Sequence, residues 1–357
     1  MTSMVGRQAI FSGTEPAGER YGLDLERLAG FLGDRLGIIF DDLTAVKFKG
    51  GQSNPTFLLK GAGGSWVLRR RPPGVLVAGA HAIDREFRVL KSMAACAFPA
   101  PEPILYCEDE ALIGSAFYLA SYVDGRVFWD AELPGVQTGD RTVIYNHMNA
   151  GLAALHSIDP AAADLADLGR GEGYAARNLS RWSRAWADSK LVDIPDMDWL
   201  VRALPDAVPE QGSIAFIHGD YGLSNLIFDP IRPRLLAVLD WEMATVGDPL
   251  IDLAHHLRPW WELAEESGAA TSLVDRDLTA LGIPSMDDYI AAYCARRGLP
   301  VPDMAYYLAH AQFRYAAMVQ GILKRARDGS ASSRRILHTQ ERVIAIARLA
   351  RQTLQEG

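Results

Sequence analysis

The spacing of apolar and polar residues divides the chain into a strand-rich first part and a helix-rich second part. Across residues 43–123, short β-rich runs are separated by glycine, proline and acidic turn residues, which is typical of strands. A single helix is predicted among them over residues 80–95, where Ile83, Phe87 and Leu90 recur at helical spacing. This part therefore predicts a small antiparallel sheet that carries one helix. Its five predicted strands are LTAVKFKGG, TFLLK, SWVLRRR, PILYCED and AFYLASYV.

After Gly125 the pattern becomes that of amphipathic helices, and YVDG is a plausible hinge before them. The first twenty residues look irregular, and LDLERLAGFLGDRLG predicts a helix ahead of the sheet. The predicted fold class is α+β, with a small sheet lobe and a larger helical lobe. The strongest helical patterns are RTVIYNHMNAGLAALHSID, MDDYIAAYCARRG, DMAYYLAHAQFRYAAMVQGILKRAR and RRILHTQERVIAIARLARQTLQ. The predicted divisions are an extension over 1–42, a small lobe over 43–120, a hinge over 121–125 and a helical lobe over 126–357.

Length and composition narrow the class of protein. The 357 residues, 49% of them hydrophobic, suffice for two packed domains or one divided core. No apolar run approaches the roughly 18 residues of a membrane helix and no signal peptide is evident, so we expect no membrane association and a cytoplasmic location. A net charge of −8 disfavours nucleic acid as a partner. The scattered cysteines Cys96, Cys107 and Cys294 are expected to be small buried residues.

The most informative stretch is FIHGDYGLSNLIFD, at residues 216–229. The predicted strands SIAFI, LIF and LLAVL around it place four polar residues at strand ends, namely His218, Asp220, Asn225 and Asp240. Two aspartates and an asparagine offer hard oxygen ligands, which suit Mg²⁺ rather than zinc, and leave one aspartate to act as a base. Each of these residues alone could instead cap a turn. The whole set in this order favours a ligand site.

These residues carry a resemblance to the aminoglycoside phosphotransferase family, relatives of the protein kinases. The resemblance runs from about residue 43 to the C-terminus and includes LDWE and GDPLIDLA after HGDYGLSN. The segments GGQSNPTF, VLRRRPPG and AHAIDREFRVL are more narrowly similar to phosphotransferase domains fused to, or associated with, acyl-CoA dehydrogenases. The resemblance implies a protein-kinase-like two-lobe fold and an ATP- and Mg²⁺-dependent kinase.

The resemblance also implies roles for the residues of the motif. Asp220 fits the carboxylate that orients the acceptor hydroxyl, and His218 orients the loop. Asn225 and Asp240 would hold Mg²⁺. Asp248 and Asp252 begin the helix DPLIDLA, where helix capping is an equal alternative. In the family the first of these two aspartates braces the catalytic loop, so we expect that role for Asp248.

The predicted small lobe offers candidates for nucleotide binding. Kinases pair a lysine of the third strand with a glutamate of the following helix, and here Arg69 and Glu86 stand at those places. A register shift of one residue would select Arg70 instead, and a simple surface ion pair is an alternative. The turn KGGQSNPTF lacks G-x-G-x-x-G, so its phosphate-binding role rests on its position alone. The candidate residues of that turn are Gly50, Gly51 and Ser53.

FYLASYVDG resembles the kinase hinge, which implies that the Ser121 carbonyl and the Val123 amide bind the adenine. Only seven residues separate Asp240 from Asp248, too few for the segment that docks a peptide in protein kinases. We therefore expect a small hydroxylated molecule as the acceptor.

The acceptor itself has several candidates. A polycationic aminoglycoside would favour the carboxylates of WWELAEESG, whereas an anionic CoA ester would favour the basic run LKRARDGSASSRR; each run could also be an ordinary helix feature. A hydroxyacyl-CoA or related hydroxy acid is favoured over an aminoglycoside, choline, homoserine or a sugar. A catalytically inactive nucleotide-binding scaffold is the alternative from another class. ATP against GTP and the oligomeric state stay open.

Overall fold

The structure is a computed structural model that describes residues 12–16, 22–38, 40, 42–49, 54–72, 83–263, 272–328 and 339–357. These residues belong to two compact units. The first unit is Met1–Trp129 with Ser224–Glu242, and the second is Asp130–Leu223 with Met243–Gly357.

The first unit is built on an antiparallel sheet of six strands in the order β1-β2-β3-β4-β6-β5. All five predicted strands are present. The sixth, β1, forms because Thr14 and Glu15 pair with Phe48 and Lys47, so the prediction of an irregular N-terminus was wrong there. The strands are β1 Thr14–Glu15, β2 Thr44–Phe48, β3 Thr56–Gly61, β4 Gly64–Arg70, β5 Pro103–Cys107 and β6 Phe117–Ser121.

Three described helices accompany this sheet: α1 Leu25–Leu36, α2 Ile83–Ala95 and α3 Glu110–Ile113. The predicted helix before the sheet is α1, which Asp24 caps by accepting a bond from the Arg27 amide at 3.1 Å. It buries Leu28 and Leu32 against sheet residues such as Phe57. Cys107 is buried as expected, whereas Cys96 is exposed because it lies just beyond the end of α2.

A second, three-stranded sheet completes the first unit, in the order β10-β9-β7. The sequence predicts residues 224–242 as part of the helical lobe, but they group with the first unit because β9 pairs with β7. Phe228 of β9 also packs on Phe128, with ring centroids 5.7 Å apart. These strands are β7 Arg126–Val127, β9 Leu226–Phe228 and β10 Leu235–Val238.

The second unit is mostly helical, and its long helix α11 packs against α5, α7 and α12. The four strongest predicted helices correspond to α4, α10, α11 and α12, although residues 334–338 lie outside the described part of the chain. A short antiparallel pair, β8 Ala215–Ile217 and β11 Thr245–Gly247, carries the loop that follows β8. The helices are α4 Thr138–Leu155, α5 Tyr174–Ser189, α6 Pro195–Asp206, α7 Pro249–His256, α8 Arg258–Trp261, α9 Leu278–Leu281, α10 Met286–Arg297, α11 Ala305–Arg327 and α12 Gln340–Glu356.

Within the described ranges, no helix combines the length and the apolar character needed to span a bilayer. The apolar side chains of the long helix α11 pack in the protein interior, since Phe313, Tyr315 and Val319 are almost fully buried.

Candidate active site

Arg69, the penultimate residue of β4, is the centre of a buried ion-pair cluster in the first unit. Its Nε lies 2.7 Å from Glu86 Oε2 on α2, and its Nη2 lies 2.7 Å from Asp240 Oδ1. Glu242 Oε2 is 3.5 Å from the same Nη2. Arg69 and Glu86 are only 7% and 2% exposed, so this is not the surface ion pair considered as an alternative.

Two neutral side chains fix the carboxylate of Glu86 in place. Asn54 Nδ2 donates to Oε1 at 2.9 Å, and the Tyr118 hydroxyl donates to Oε2 at 3.2 Å. Burial raises the pKa of Glu86, and the charge of Arg69 opposes that rise. Burial alone would lower the pKa of Arg69, but the carboxylates of Glu86 and Asp240 outweigh it and raise that pKa. The guanidinium is therefore a permanent cation beside Asp240.

The choice between Arg69 and Arg70 as the partner of Glu86 is settled by the strand register. Arg70 Nη1 donates to the carbonyl of Ile113 at 2.8 Å, and its guanidinium lies 5.6 Å from the ring centroid of Phe57. Successive side chains of a strand point to opposite faces. Arg69 thus pairs with Glu86 on α2 while Arg70 lies against α3.

Asn225 and Asp240 are brought to one end of the hairpin β9–β10. Leu226 pairs with Val238, and the Leu239 amide donates to the Asn225 carbonyl at 2.8 Å. Asp240 follows directly with φ of 65°, a left-handed conformation that an aspartate tolerates better than most residues. Non-glycine residues in this region are often found at functional sites.

The chemistry of these two residues fits Mg²⁺. A carboxylate and an amide oxygen are hard donors, and Mg²⁺ is commonly held by one or two carboxylates together with substrate phosphates. Among the described residues, no group of three His, Cys, Asp or Glu side chains could hold a metal ion by itself. Such a group is not needed for a metal that nucleotide phosphates help to bind.

In the second unit, the loop after β8 carries His218 and Asp220 and is held by Asp252 of α7. The amides of His218 and Gly219 donate to the two carboxylate oxygens of Asp252 at 2.8 and 2.9 Å. Gly219 has φ of 80°, and a Cβ there would lie 2.7 Å from the Met243 carbonyl oxygen. This position therefore requires glycine.

A buried chain of hydrogen bonds supports Asp252. His156 Nε2 lies 3.1 Å from Asp252 Oδ2, and its Nδ1 lies 2.7 Å from the Tyr293 hydroxyl. Burial lowers the pKa of His156, so the neutral ring donates to Asp252 and accepts from Tyr293. Burial alone would raise the pKa of Asp252, but its bonds with His156 and the His218 amide hold that pKa well below the usual range.

The bracing role expected for Asp248 belongs instead to Asp252. Asp248 is the N-cap of α7, and its Oδ1 accepts from the Leu250 amide at 2.9 Å. The reason is helix geometry, since Asp252 lies one turn further along α7, at the level of the loop after β8.

Asp220 lies at the turn of this loop with its side chain 53% exposed, and His255 Nε2 is 3.1 Å from its Oδ1. The Asp220 amide donates to His218 Nδ1 at 3.2 Å, which orients the buried ring of His218. Partial burial alone would raise the pKa of Asp220, but the hydrogen bond from His255 and the charge of Arg258 lower it to about 2. Asp220 is therefore a carboxylate at neutral pH.

The remaining predicted nucleotide contacts are only partly described. Ser121 is the last residue of β6, and Val123 lies two residues further along and is half-buried. The adenine-binding role of both residues stays a prediction. Gly50, Gly51 and Ser53 lie outside the described residues.

Some residues of both charged runs considered for acceptor binding form ion pairs within the second unit. Glu262 of WWELAEESG is buried and pairs with Arg258 and Arg342. At the end of α11, Lys324 and Arg327 both pair with Asp328, at 2.9 and 3.4 Å. Arg334 and Arg335 lie outside the described residues.

Three buried polar residues around the loop after β8 were not among the predicted site residues: His156, His255 and Arg314. Arg314 is 6% exposed, and its Nη2 donates to the Gly219 carbonyl at 2.8 Å. A charged residue inside an apolar helical run, as in AHAQFRYAAM, is the signal that could have identified Arg314. The pair His255-His256 directly after DLA offered a similar signal.

Comparison with known proteins shows what the chain is similar to. The model of the phosphotransferase enzyme family, APH, matches residues 44–292. Acyl-CoA dehydrogenase family member 10 of Mus musculus is 39% identical over 289 residues, covering 81% of this chain and 27% of that protein. Acyl-CoA dehydrogenase family member 11 of Rattus norvegicus is 38% identical over 340 residues, covering 92% and 42%. The chain thus spans less than half the length of these curated relatives.

Solved structures show the same architecture. A candidate aminoglycoside phosphotransferase from Ralstonia eutropha JMP134 is 37% identical, with a TM-score of 0.83, covering 94% of this chain and 99% of that one. Choline kinase from Cryptosporidium parvum Iowa II is 13% identical, with a TM-score of 0.64, covering 93% and 96%. At that identity the second similarity shows the fold alone. The fold is the predicted kinase-like α+β fold.

Proposed function

The chain belongs to the phosphotransferase enzyme family, whose members transfer phosphoryl groups to hydroxyl acceptors, and we propose that it uses ATP and Mg²⁺ to phosphorylate a small hydroxylated metabolite. The family match covers residues 44–292 and so includes both the Arg69 cluster and the loop that carries Asp220.

The observation that carries the proposal is the position of Arg69 between Glu86 and Asp240. Kinase catalysis requires a strand cation paired with a helix glutamate, and an aspartate that holds the metal. Here nitrogen atoms of the Arg69 guanidinium lie 2.7 Å from an oxygen of each carboxylate, and both members of the Arg69–Glu86 pair are buried. A fork-shaped guanidinium is suited to meet a carboxylate and a phosphate together.

Each residue then has a defined task. Bound ATP would supply the phosphoryl group, and Mg²⁺ would neutralise the negative charge of the phosphates. Asn225 and Asp240 would hold the metal, while Arg69 neutralises phosphate charge. Asp220 orients the acceptor hydroxyl and takes its proton as the oxygen bonds to the γ-phosphorus and the bond to ADP breaks. His218 holds the loop through the Asp220 amide.

We propose a hydroxyacyl-CoA or a related hydroxy acid as the acceptor. The similarity of 38 to 39% to proteins named as acyl-CoA dehydrogenase family members supports an acyl-CoA substrate class. An aminoglycoside is the second candidate, favoured by the 37% identical structure. An inactive scaffold would need none of Asp220, Asn225 and Asp240, so their presence supports an enzyme.

A coupled assay of ADP release across hydroxyacyl-CoAs, aminoglycosides, choline, homoserine and sugars tests this proposal. We expect Mg²⁺-dependent release with a hydroxyacyl-CoA and little with the others. Charge reversal at Arg325 and Arg327, at the exposed end of α11, should raise the KM of an anionic acceptor several-fold and leave the KM of ATP unchanged.

The matched control is charge reversal at Arg184 and Arg202, exposed arginines of α5 and α6, which should leave both KM values unchanged. Turnover with kanamycin-like polycations and no CoA ester, together with a silent double reversal on α11, would return the acceptor to the aminoglycoside class.

A further inference from the structure

We propose that His255 is the positioning residue for Asp220, holding the carboxylate of the catalytic loop through its imidazole Nε2–H. This inference rests on the proposed role of Asp220 as the group that orients the acceptor hydroxyl. His255 is the penultimate residue of α7, and its Nε2 lies 3.1 Å from Asp220 Oδ1. The ring is 6% exposed, whereas the aspartate side chain is 53% exposed.

A solvent-exposed carboxylate needs such a contact to keep one orientation. Free rotation of an aspartate side chain would spread its oxygens over several positions, and small misplacement of a reacting group is costly. The rigid partner is the buried ring, which α7 holds in place. Asp252 and His255 are three apart on this helix, so one face of α7 binds both the backbone of the loop and its side chain.

The surroundings of His255 fix it as a neutral donor. Its Nδ1 is buried and has no hydrogen-bond partner within the described part of the chain. A proton at Nδ1 would therefore be buried without an acceptor. Burial and the positive charge of Arg314 lower the pKa of His255, while Asp220 opposes this shift and Arg258 adds to it. The ring is thus the Nε2–H tautomer at neutral pH.

Titratable and charged groups facing Asp220 come from several elements. They are His218 of its own loop, His255 of α7 and Arg258 of α8. Arg314 of α11 is also near enough for the charge of Asp220 to influence the Arg314 pKa. The hydrogen bond from His255 is the strongest influence that favours the charged carboxylate. Loss of this bond would therefore raise the pKa of Asp220, because burial raises it and the charge of Arg258 would be left as a weaker opposing influence.

The test compares His255→Phe, which keeps a planar ring and removes the donor, with His255→Gln, whose amide can donate from nearly the same place. We expect His255→Phe to lower kcat at least about tenfold, to leave the KM of ATP unchanged and to move the acid limb of the kcat profile upward by about one pH unit. His255→Gln should recover most of the turnover and the original limb.

His147→Phe on α4 is the control for replacing a histidine by phenylalanine elsewhere, and it should change neither kcat nor the acid limb of the kcat profile. Equal losses of kcat in His255→Phe and His255→Gln would show a purely structural role and overturn the inference. A wild-type pH profile of kcat in His255→Phe would also overturn it.

A readout without turnover separates this inference from the proposed function. Titration of ¹³C-labelled aspartate by NMR, with Asp220→Asn for assignment, should give a higher pKa for Asp220 in His255→Phe than in the wild type. An unchanged pKa would overturn the inference. A raised pKa in a protein that phosphorylates none of the acceptors would keep the contact and reject the proposed reaction.

Discussion

At the residue scale, the chain places opposite charges where water is excluded. Arg69 and Glu86 are each held by several partners, which is required because burying an ion is costly unless it is paired and hydrogen-bonded. The resemblance to kinases predicted the pair of Arg69 with Glu86, but not the contact of Arg69 with Asp240. It did not predict Asn54 and Tyr118, because their contact with Glu86 depends on strand register and on how α2 lies against the sheet.

Glu86→Ala should therefore destabilise the protein by about 3 kcal/mol, because it leaves Arg69 partly unpaired in a buried place. The measurement is the midpoint of urea denaturation. Asp198→Ala, which removes a partner of the surface residue Lys190, is the matched control and should cost less than about 1 kcal/mol. Equal midpoints for the two variants would contradict the buried role of the pair.

At the element scale, α7 is the helix that organises the loop after β8. Pro249 at its start and the cap at Asp248 define where it begins, and Asp252 and His255 face the loop. The sequence predicted this helix and placed both aspartates near its start. It indicated Asp248, rather than Asp252, as the residue that braces the loop after β8. Asp248 and Asp252 share the helix start, and only the position of β8 in space distinguishes them.

The two aspartates should respond differently to pH. The pKa of Asp252 is depressed in the folded protein, so its stabilising effect is complete above the ordinary aspartate pKa of about 3.9 and is lost as the pH falls further. Asp252→Asn should therefore lower the urea midpoint at pH 7 and differ progressively less from the wild type below pH of about 4.

Asp248→Asn is the control on the same helix. Burial raises the pKa of Asp248, so its charge does not stabilise the fold at pH 7, and asparagine is an equally good cap. We expect almost no change in the urea midpoint at pH 7. A larger drop of the urea midpoint in Asp248→Asn than in Asp252→Asn would show that Asp248 braces the loop after β8.

At the scale of the whole molecule, the hydrophobic pattern predicted the five longer strands of the six-stranded sheet and the helices α1, α2, α4, α7, α10, α11 and α12, because the strand and helix periodicities are regular there. No predicted segment corresponded to the helices α5 and α6. The sixth strand was missed because Thr14–Glu15 is too short to show alternation. The grouping of residues 224–242 with the first unit was also missed, since β7 has only two residues and its pairing with β9 is not local. Non-local pairings of short strands leave little pattern in a sequence.

Catalysis by the loop aspartate is the central claim, and Asp220→Asn tests it most directly. This variant keeps the shape of the side chain and leaves Asn225, Asp240 and Arg69 intact. We expect turnover in the ADP-release assay to fall by about 10² or more with the KM of ATP nearly unchanged, while Asp206→Asn, at the exposed end of α6, behaves as the wild type. Turnover within a few-fold of the wild type in Asp220→Asn would show that the base lies elsewhere and would contradict the account.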